Sequence, residues 1–297
     1  MSKQSTKFCT SKDGTTIAYE MRGSGEKLLS IFGATCYKDY FAVQGDIKEF
    51  AKHFSVINYD RRGRGESNER DSWTIDKELD DIEALIEAVG APVHLYGHSS
   101  GAVLALEAGL RFPEKVKTVT VYDVSYVSSV AEQQEYRALK ERVEKLLENG
   151  DHGAALKVFL QGIGMPRLFS LILPLMPGWR QLKKLAPTLR HDIALTEVLP
   201  PAGRLARLKV PSLILVGEKN PPALMANYRL LTRSIPGARG KSYPGKDHLA
   251  SAAVFIDDIR AFHQLLPGYP DDGVKKPPHA GKNPASPATH GGSSPGA

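Results

Sequence analysis

The sequence predicts an α/β fold in which a mostly parallel central sheet has helices on both faces and carries an all-helical insertion. Short apolar runs, such as residues 28–32 and 211–218, alternate with segments of helical periodicity, which is typical of parallel strands joined by helices. The alternation stops between residues 124 and 205, where helical patterns alone remain. Ser99, flanked by glycines, lies between an apolar run and a helix-forming segment, at the strand edge where parallel sheets place their chemistry.

The first elements follow from turn residues and periodicity. Asp13 and Gly14 form a dipeptide that favours a tight turn, so an opening hairpin is expected within residues 7–21. The segment 75–89 has apolar residues at helical spacing and stops at Gly90, a residue type that terminates helices. The other elements expected before Ser99 are strands at 28–32 and 55–59 and a helix at about 41–53.

The later elements resume the alternation on both sides of the insertion. A strand after Pro113 ends at Tyr122 and Asp123, and a charged amphipathic pattern predicts a helix over residues 131–148. The remaining expected elements are strands near 93–97, 211–218 and 238–243, helices at about 102–110 and 223–234, and a final helix that follows His248 and extends to about residue 266.

These elements divide the chain into three parts. Residues 1–123 and 206–266 are expected to form an α/β core, and residues 124–205 an all-helical cap over the active edge of the sheet. Within the cap, residues 162–179 are apolar but interrupted by three prolines, so they are not expected to cross a membrane. Residues 267–297 are rich in proline, glycine, serine and alanine and are expected to be a disordered tail.

The composition is that of an ordinary soluble globular protein. Of the 297 residues, 41% are apolar and 24% are charged, and the net charge of +6 comes from basic residues scattered along the chain. No nucleic-acid partner is therefore expected. Cys9 and Cys36 are too few for a disulfide framework, and neither has a metal-like spacing with histidine. Since no signal-peptide pattern is found, we expect a cytoplasmic protein with no membrane insertion.

Ser99 lies in a segment that combines an apolar run, a sharp turn and a helix-forming sequence. This is the order that a G-x-S-x-G nucleophile site requires, and the turn at residues 97–101 is named the elbow. Gly97 and Gly101 suit the turn, because side chains there would collide with the neighbouring strand and helix. The following helix directs free N–H groups toward negative charge, which suits an oxyanion. The pattern favours a nucleophilic serine over a simple tight turn.

Five segments in the same order resemble the α/β-hydrolase superfamily. They are GHSSG at 97–101, IFGAT at 31–35, YDRRGRGES at 59–67, LILVGEKN at 213–220 and GKDH at 245–248. The resemblance covers roughly residues 7–266 and implies an α/β-hydrolase fold with a helical cap. Phe32 stands where the family often has histidine, so a hydrogen bond that commonly braces this loop is missing.

The resemblance also implies the principal catalytic groups. Ser99 is the implied nucleophile, and His248 is the implied base that takes its proton. His98 is a rival base, although a histidine inside this turn usually packs beside the serine. The backbone N–H groups of Ala34 and Ser100 are implied as the oxyanion hole. No metal site or cofactor is expected, because the chain lacks the corresponding ligand and glycine-rich motifs.

The family's catalytic triad also contains an acid that pairs with the histidine, and the sequence leaves the identity of this acid open. The family's usual aspartate position holds Asn220, which carries no charge to stabilise an imidazolium. Asp123 is the favoured replacement, because it ends the strand after the elbow helix and emerges at the same edge as Ser99. Asp247 is a weaker candidate, since it adjoins His248 in the chain. The remaining alternative is an incomplete triad.

The expected substrate is a hydrophobic small molecule, because the cap is apolar. Residues expected to contact it are Phe32, Cys36, His98, Tyr126 and Met165. The arginines of the loop 61–65 are expected to bond to backbone and carboxylates beside the site rather than to the substrate.

Two functions remain open from the sequence. The favoured one is a cofactor-independent serine hydrolase that cleaves an ester, thioester, lactone or related acyl bond. The alternative is a non-hydrolytic member of the same fold, either a lyase-like or cyclase-like biosynthetic enzyme or a ligand-binding protein, and Asn220 is the feature that supports it. The oligomeric state is not specified by any pattern in the chain.

Overall fold

A computed structural model describes residues 5–165, 168, 172–175 and 178–265. Its central feature is one eight-stranded sheet with the strand order β1-β2-β4-β3-β5-β6-β7-β8. The strands are β1 (Lys7–Thr10), β2 (Thr16–Arg22), β3 (Lys27–Ile31), β4 (Ser55–Tyr59), β5 (Val93–His98), β6 (Val116–Tyr122), β7 (Ser212–Gly217) and β8 (Arg239–Tyr243).

The sheet is mostly parallel. Strand β2 pairs antiparallel with β1 and with β4, and the five other neighbouring pairs are parallel. The carboxyl ends of β3, β5, β6 and β7 therefore meet at one edge of the sheet. This arrangement confirms the predicted α/β fold class and brings the ends of distant chain segments together.

Helices cover both faces of the sheet. The α-helices are α1 (Phe41–Phe50), α2 (Ile75–Val89), α3 (Ser100–Arg111), α4 (Val130–Glu148), α5 (His152–Gly162), α6 (Trp179–Leu185), α7 (Leu189–Thr196), α8 (Ala202–Leu205), α9 (Pro222–Ser234) and α10 (Ile256–Gln264). Short 3₁₀ turns lie at Leu173–Leu175, Ala186–Thr188 and Ala252–Val254. In the part of the chain that the structure describes, no helix is both long enough and apolar enough to span a bilayer.

Two hydrophobic cores lie on opposite faces of the sheet. Leu28 and Leu29 are neighbours in β3, yet each belongs to a different core, because successive side chains of a strand point to opposite faces. One core packs the sheet against α2, α3 and α9, and the other packs it against α1 and α10. The strands β3 and β7 thus carry apolar side chains on both faces, which explains their apolar runs.

A third hydrophobic cluster joins the helices between β6 and β7. It contains Leu139 and Val143 of α4, Phe159 of α5, and Leu189 and Ile193 of α7, all buried. We propose that these helices form the cap expected over residues 124–205, because they have a core of their own. The tail expected over residues 267–297 lies outside the described residues.

Most predicted elements agree with the structure to within a few residues. The helix after the elbow begins at Ser100 rather than at Ala102, because the chain becomes helical directly after Ser99. The helix expected from 41 to 53 ends at Phe50, where a turn leads into β4. The hairpin, β4, α2 and the strand ending at Tyr122 agree with their predictions.

Candidate active site

Ser99 occupies a strained turn between β5 and α3. Its backbone has φ 59° and ψ −127°, a conformation that side-chain-bearing residues rarely adopt. A Cβ at Gly97 would lie 2.6 Å from Cα of Ala102, and one at Gly101 would lie 2.2 Å from the carbonyl oxygen of Ile31. Only glycine fits these two positions, so the glycines allow the close packing that presents the serine at the sheet edge.

The hydroxyl of Ser99 is hydrogen-bonded to Ser125. The two Oγ atoms are 3.1 Å apart, and the backbone N–H of Ser125 also donates to the carbonyl of Ser99 at 3.4 Å. Ser125 follows β6 by three residues, so the loop after β6 holds the elbow from the side. Ser125 carries no signal in the sequence, because a lone serine in a loop belongs to no motif.

Asp123 and His248 are in contact. Nδ1 of His248 lies 3.1 Å from Oδ2 of Asp123, and the carboxylate is buried. The same carboxylate accepts hydrogen bonds from the backbone N–H of Gly217 at 3.0 Å and from Nδ2 of Asn220 at 2.7 Å. Asp123 also has a positive φ of 51°, which turns the chain sharply at the end of β6. Asn220 therefore lies beside the acid rather than in contact with the imidazole.

Two side chains hold the loop that carries His248. Nε2 of His98 donates to the carbonyl of His248 at 3.0 Å, and the hydroxyl of Tyr122 donates to the carbonyl of Asp247 at 2.5 Å. Burial lowers the pKa of His98 to about 3, so this ring is neutral with its proton on Nε2. The carboxylate of Asp247 accepts from the N–H of Leu249 and stabilises the turn. The side chains of His98 and Asp247 therefore contact the backbone of the loop that carries His248.

Ser99 and His248 line the same cavity without a hydrogen bond between their side chains among the described residues. The serine hydroxyl is turned toward Ser125 instead. Hydrogen bonds of this kind are often long or misaligned in unliganded enzymes and tighten with substrate.

Ala34 and Ser100 also line this cavity. Ser100 is the first residue of α3, so its N–H belongs to the helix end that has no intrahelical acceptor. A Cβ at Gly33 would lie 2.8 Å from Cβ of Ser99, which shows how closely the loop after β3 approaches the serine. The loop after β3, which carries Ala34, and the first turn of α3, which carries Ser100, therefore both lie beside Ser99.

A buried charge network adjoins these residues. Arg61 and Arg64 both donate to Asp192, at 2.7 and 2.6 Å, and Arg61 also pairs with Glu78. The hydroxyl of Ser100 donates to Asp192 at 2.7 Å. The expectation that these arginines bond to carboxylates beside the site is confirmed.

Asp192 belongs to α7 in the helical segment between β6 and β7. Burial disfavours its charged form, but the guanidinium groups of Arg64 and Arg61 lower its pKa to about 2. Asp192 carries no recognisable signal in the sequence, because it lies in a helix of mixed polar and apolar residues with no spacing that connects it to the arginine loop.

The cavity beside Ser99 has a volume of about 430 Å³. Its lining includes Tyr126 and Met165, as expected of substrate-contacting residues. Other apolar and aromatic residues around it are Tyr136, Phe159, Ile163, Pro221, Ala223, Leu224 and Leu249.

Three of the expected substrate contacts do not line this cavity. Phe32 is buried against Tyr96 in the core, with ring centroids 6.1 Å apart. Cys36 packs against the same core, and burial raises the pKa of its thiol to about 12. His98 is directed toward the backbone of His248. Within the described part of the chain, no cluster of side chains suited to a metal ion is found.

The sequence profile described as the alpha/beta hydrolase family matches residues 23–264. The chain belongs to the alpha/beta hydrolase family. The match covers the whole sheet from β3 onward and the helical segment inserted into it. The alpha/beta hydrolase fold predicted from the five motifs is therefore shown.

Curated relatives match parts of this alpha/beta hydrolase. An uncharacterized hydrolase, YraK, of Bacillus subtilis is 31% identical over 114 residues, which is 37% of this chain and 41% of the relative. Epoxide hydrolase 3 of Mus musculus is 32% identical over 123 residues, 40% of this chain and 34% of the relative. A proline iminopeptidase of Heyndrickxia coagulans is 28% identical over 169 residues, 52% of this chain and 54% of the relative. The chain spans about a third to a half of the length of these relatives.

Solved structures match over more of the chain. An alpha/beta hydrolase from Sphaerobacter thermophilus has a TM-score of 0.78 at 28% identity, with 86% of this chain and 99% of that chain covered. An esterase from Exiguobacterium antarcticum has a TM-score of 0.66 at 19% identity, with 86% and 96% covered. A likeness at 19% identity shows the shared fold alone.

Proposed function

We propose that this protein is a cofactor-independent serine hydrolase that cleaves an activated acyl bond of a hydrophobic small molecule. The observation that carries the proposal is the contact between Asp123 and His248 beside the elbow that presents Ser99. A nucleophile, a base and a buried acid then belong to one site. Their chain order, serine, acid and histidine, is that of many α/β-hydrolases, although the acid here follows β6. Family membership and the fold support this proposal.

In the first step, Ser99 rotates from Ser125 toward His248 and attacks the acyl carbon. Its proton passes to Nε2 of His248, while Nδ1–H of the same ring donates to Asp123. The carbonyl π electrons move to the oxygen, which accepts hydrogen bonds from the N–H groups of Ala34 and Ser100. The tetrahedral intermediate collapses, and the leaving group takes the proton from Nε2.

In the second step, water hydrolyses the acyl-enzyme. His248 removes a proton from the water, and the hydroxide attacks the same carbonyl carbon. The new intermediate then releases the acid, and the bond to Oγ of Ser99 breaks as Nε2 returns the proton to it. Every proton is carried by one imidazole, so neither a metal nor a cofactor takes part in the proposed reaction.

The cavity supports a small, largely apolar substrate. Its volume of about 430 Å³ falls in the range of small-molecule sites, and aromatic and aliphatic side chains form much of its lining. The named relatives include an epoxide hydrolase and a peptidase, so their names do not specify the bond. An acyl substrate is favoured because a serine nucleophile and two backbone N–H donors match the needs of acyl transfer.

The non-hydrolytic alternative depended on Asn220. Because the carboxylate of Asp123 lies 3.1 Å from Nδ1 of His248, the amide at position 220 is no longer a reason to expect an incomplete triad. Asn220 instead donates to that carboxylate at 2.7 Å. We therefore favour hydrolysis over lyase-like or ligand-binding functions.

Hydrolysis of p-nitrophenyl acetate and butyrate, together with labelling by a fluorophosphonate, tests the proposal. Wild-type protein is expected to hydrolyse at least one ester and to take up one label, and Ser99→Ala to lose both. Ser242→Ala is the control, because Ser242 lies in the edge strand β8, bonds to Glu218 and does not line the cavity. Mass spectrometry of the labelled peptide identifies the modified residue. Absence of both turnover and label in wild-type protein would reject the proposal.

A further inference from the structure

We infer that Asp192, on the helical segment between β6 and β7, positions both amides of the oxyanion hole. It acts through Arg64 on the loop that carries Ala34, and directly through the hydroxyl of Ser100. The inference rests on the proposed serine hydrolase function. It makes the helical segment part of the catalytic site rather than only a cover for the substrate.

The first connection runs through Arg64. Its Nη2 donates to Oδ2 of Asp192 at 2.6 Å, and its Nη1 donates to the carbonyl of Gly33 at 2.6 Å. In a trans peptide the C=O and the following N–H point in opposite directions, so holding the carbonyl of Gly33 directs the N–H of Ala34 away from Arg64. Ala34 lines the cavity that contains Ser99.

The loop needs this restraint. Thr35, directly after Ala34, has a φ of 59°, a strained conformation that persists only where the surroundings hold it. Phe32 is an apolar core residue and offers no side-chain hydrogen bond to the loop. A charged donor on the carbonyl of Gly33 also polarises the peptide, which makes the N–H of Ala34 a stronger donor.

The second connection runs directly to the elbow. The hydroxyl of Ser100 donates to Oδ1 of Asp192 at 2.7 Å, and Arg61 donates to the same oxygen at 2.7 Å. Ser100 is the first residue of α3, so this bond fixes the residue whose N–H is the second oxyanion donor. One carboxylate is thus bonded to Ser100 directly and, through Arg64, to the loop that carries Ala34.

The local charges make this arrangement compatible with an oxyanion. A single aspartate beside the hole would repel negative charge, but Arg61 and Arg64 neutralise it, and Glu78 balances the second guanidinium. Asp192 and both arginines are buried, so these bonds are protected from solvent. The network therefore orients the two N–H donors and adds little negative potential at the position of the oxyanion.

Asp192→Asn tests the inference, with Asp81→Asn as a matched control. Asp81 pairs with buried Arg62 of the same loop, at 2.7 and 2.8 Å, but it does not line the cavity. We measure kcat and KM for a p-nitrophenyl ester, inhibition by a short alkyl boronic acid, and the melting temperature. The boronic acid forms a tetrahedral adduct with the serine and so reports on the oxyanion hole.

For Asp192→Asn we expect kcat to fall about tenfold or more, because a misplaced oxyanion donor weakens transition-state stabilisation more than ground-state binding. KM is expected to change less than kcat, and boronic acid affinity to fall together with kcat/KM. Asp81→Asn is expected to lower the melting temperature while kcat stays within about twofold, since its pair lies outside the site. Unchanged or higher kcat in Asp192→Asn, or an equal kcat loss in both variants, overturns the inference.

Ser100→Ala keeps the test decisive if Asp192→Asn does not fold. It retains the backbone N–H but removes the hydroxyl bonded to Asp192, so kcat is expected to fall by about fivefold. No change in kcat and boronic acid affinity then counts against the inference. Wild-type protein that is inactive and unlabelled rejects the serine hydrolase function. Active wild-type protein together with a fully active Ser100→Ala variant rejects only the role of Asp192.

Discussion

Oδ2 of Asp123 lies 3.1 Å from Nδ1 of His248, although 125 residues separate them in the chain. Asp123 directly follows β6, whereas His248 follows β8, and the parallel sheet brings both to its carboxyl edge. Asn220 occupies the position expected for an acid and instead donates a hydrogen bond to Asp123. This relationship assigns different roles to the two residues, and the roles can be separated by mutation.

Asp123→Asn is expected to lower kcat about a thousandfold or more. The amide leaves the imidazolium formed during attack without its negative partner, and a similar change in a serine protease cost about 10⁴-fold. Asn220→Ala removes one of the hydrogen bonds to Asp123 and leaves Gly217 and His248, so a loss of no more than about tenfold is expected. Steady-state ester hydrolysis measures both. Comparable small losses would contradict the assignment of the acid.

Ser125→Ala is expected to raise the rate of fluorophosphonate labelling by up to about fivefold. The variant removes the partner that holds the hydroxyl of Ser99 away from His248, and a hydrogen bond of this type contributes about 1 kcal/mol. Time-resolved labelling followed by intact-mass measurement gives the rate, and Ser242→Ala again serves as the control. A slower rate would mean that Ser125 assists the attack rather than competing with it.

Gly101→Ala is expected to destabilise the protein by about 1–3 kcal/mol or more and to abolish labelling of Ser99. The added Cβ would lie 2.2 Å from the backbone of Ile31, so the elbow must shift away from β3. Gly45→Ala is the matched control, since Gly45 lies within α1 with no atom within 4 Å of an added Cβ. It should raise the free energy of unfolding by about 0.5–1 kcal/mol. Urea denaturation checks both values.

Acidification is expected to destabilise the fold through buried neutral histidines. Burial lowers the pKa of His191 to about 3, and its ring stacks on Trp73 with centroids 5.0 Å apart. In the unfolded chain His191 binds a proton near its ordinary pKa of 6.5, whereas in the folded chain it stays neutral down to about pH 3. The free energy of unfolding therefore decreases as the pH falls from 6.5 toward 3.

His191→Phe retains an aromatic ring against Trp73 but cannot titrate. We expect the decrease in the free energy of unfolding between pH 7 and pH 4 to be smaller in this variant, by about 3 kcal/mol. Urea denaturation across this pH range provides the measurement. An identical pH dependence in both proteins would show that His191 does not contribute to acid sensitivity.

Much of the fold was predictable from local patterns. The segment 75–89 shows apolar residues at helical spacing and a terminal Gly90, and α2 has those bounds. The apolar runs became the central strands, because strands buried on both faces need apolar residues at successive positions. Boundaries shifted where packing overrode propensity, as at Ser100, where the helix starts directly after the strained serine.

The candidate site was predictable only in part. The glycines around Ser99 and the position of His248 carried recognisable signals, and so did the strand end at Asp123. The predicted substrate contacts agreed less well with the structure, because Phe32 and Cys36 face the core and not the cavity. Sequence position near a motif does not specify which face of a loop a side chain takes, because that depends on packing against other segments.

The succession of strands and helices, the turn at Ser99 and the family could be inferred from the chain alone, because these depend on residues close together in the sequence. The contact of His248 with Asp123 rather than Asn220, and the bond between Asp192 and Ser100 across 92 residues, required the folded structure. The difference lies in the distance over which each interaction acts. Periodicity and turn chemistry act over a few residues, whereas a hydrogen bond between distant segments depends on tertiary packing to within a fraction of an ångström.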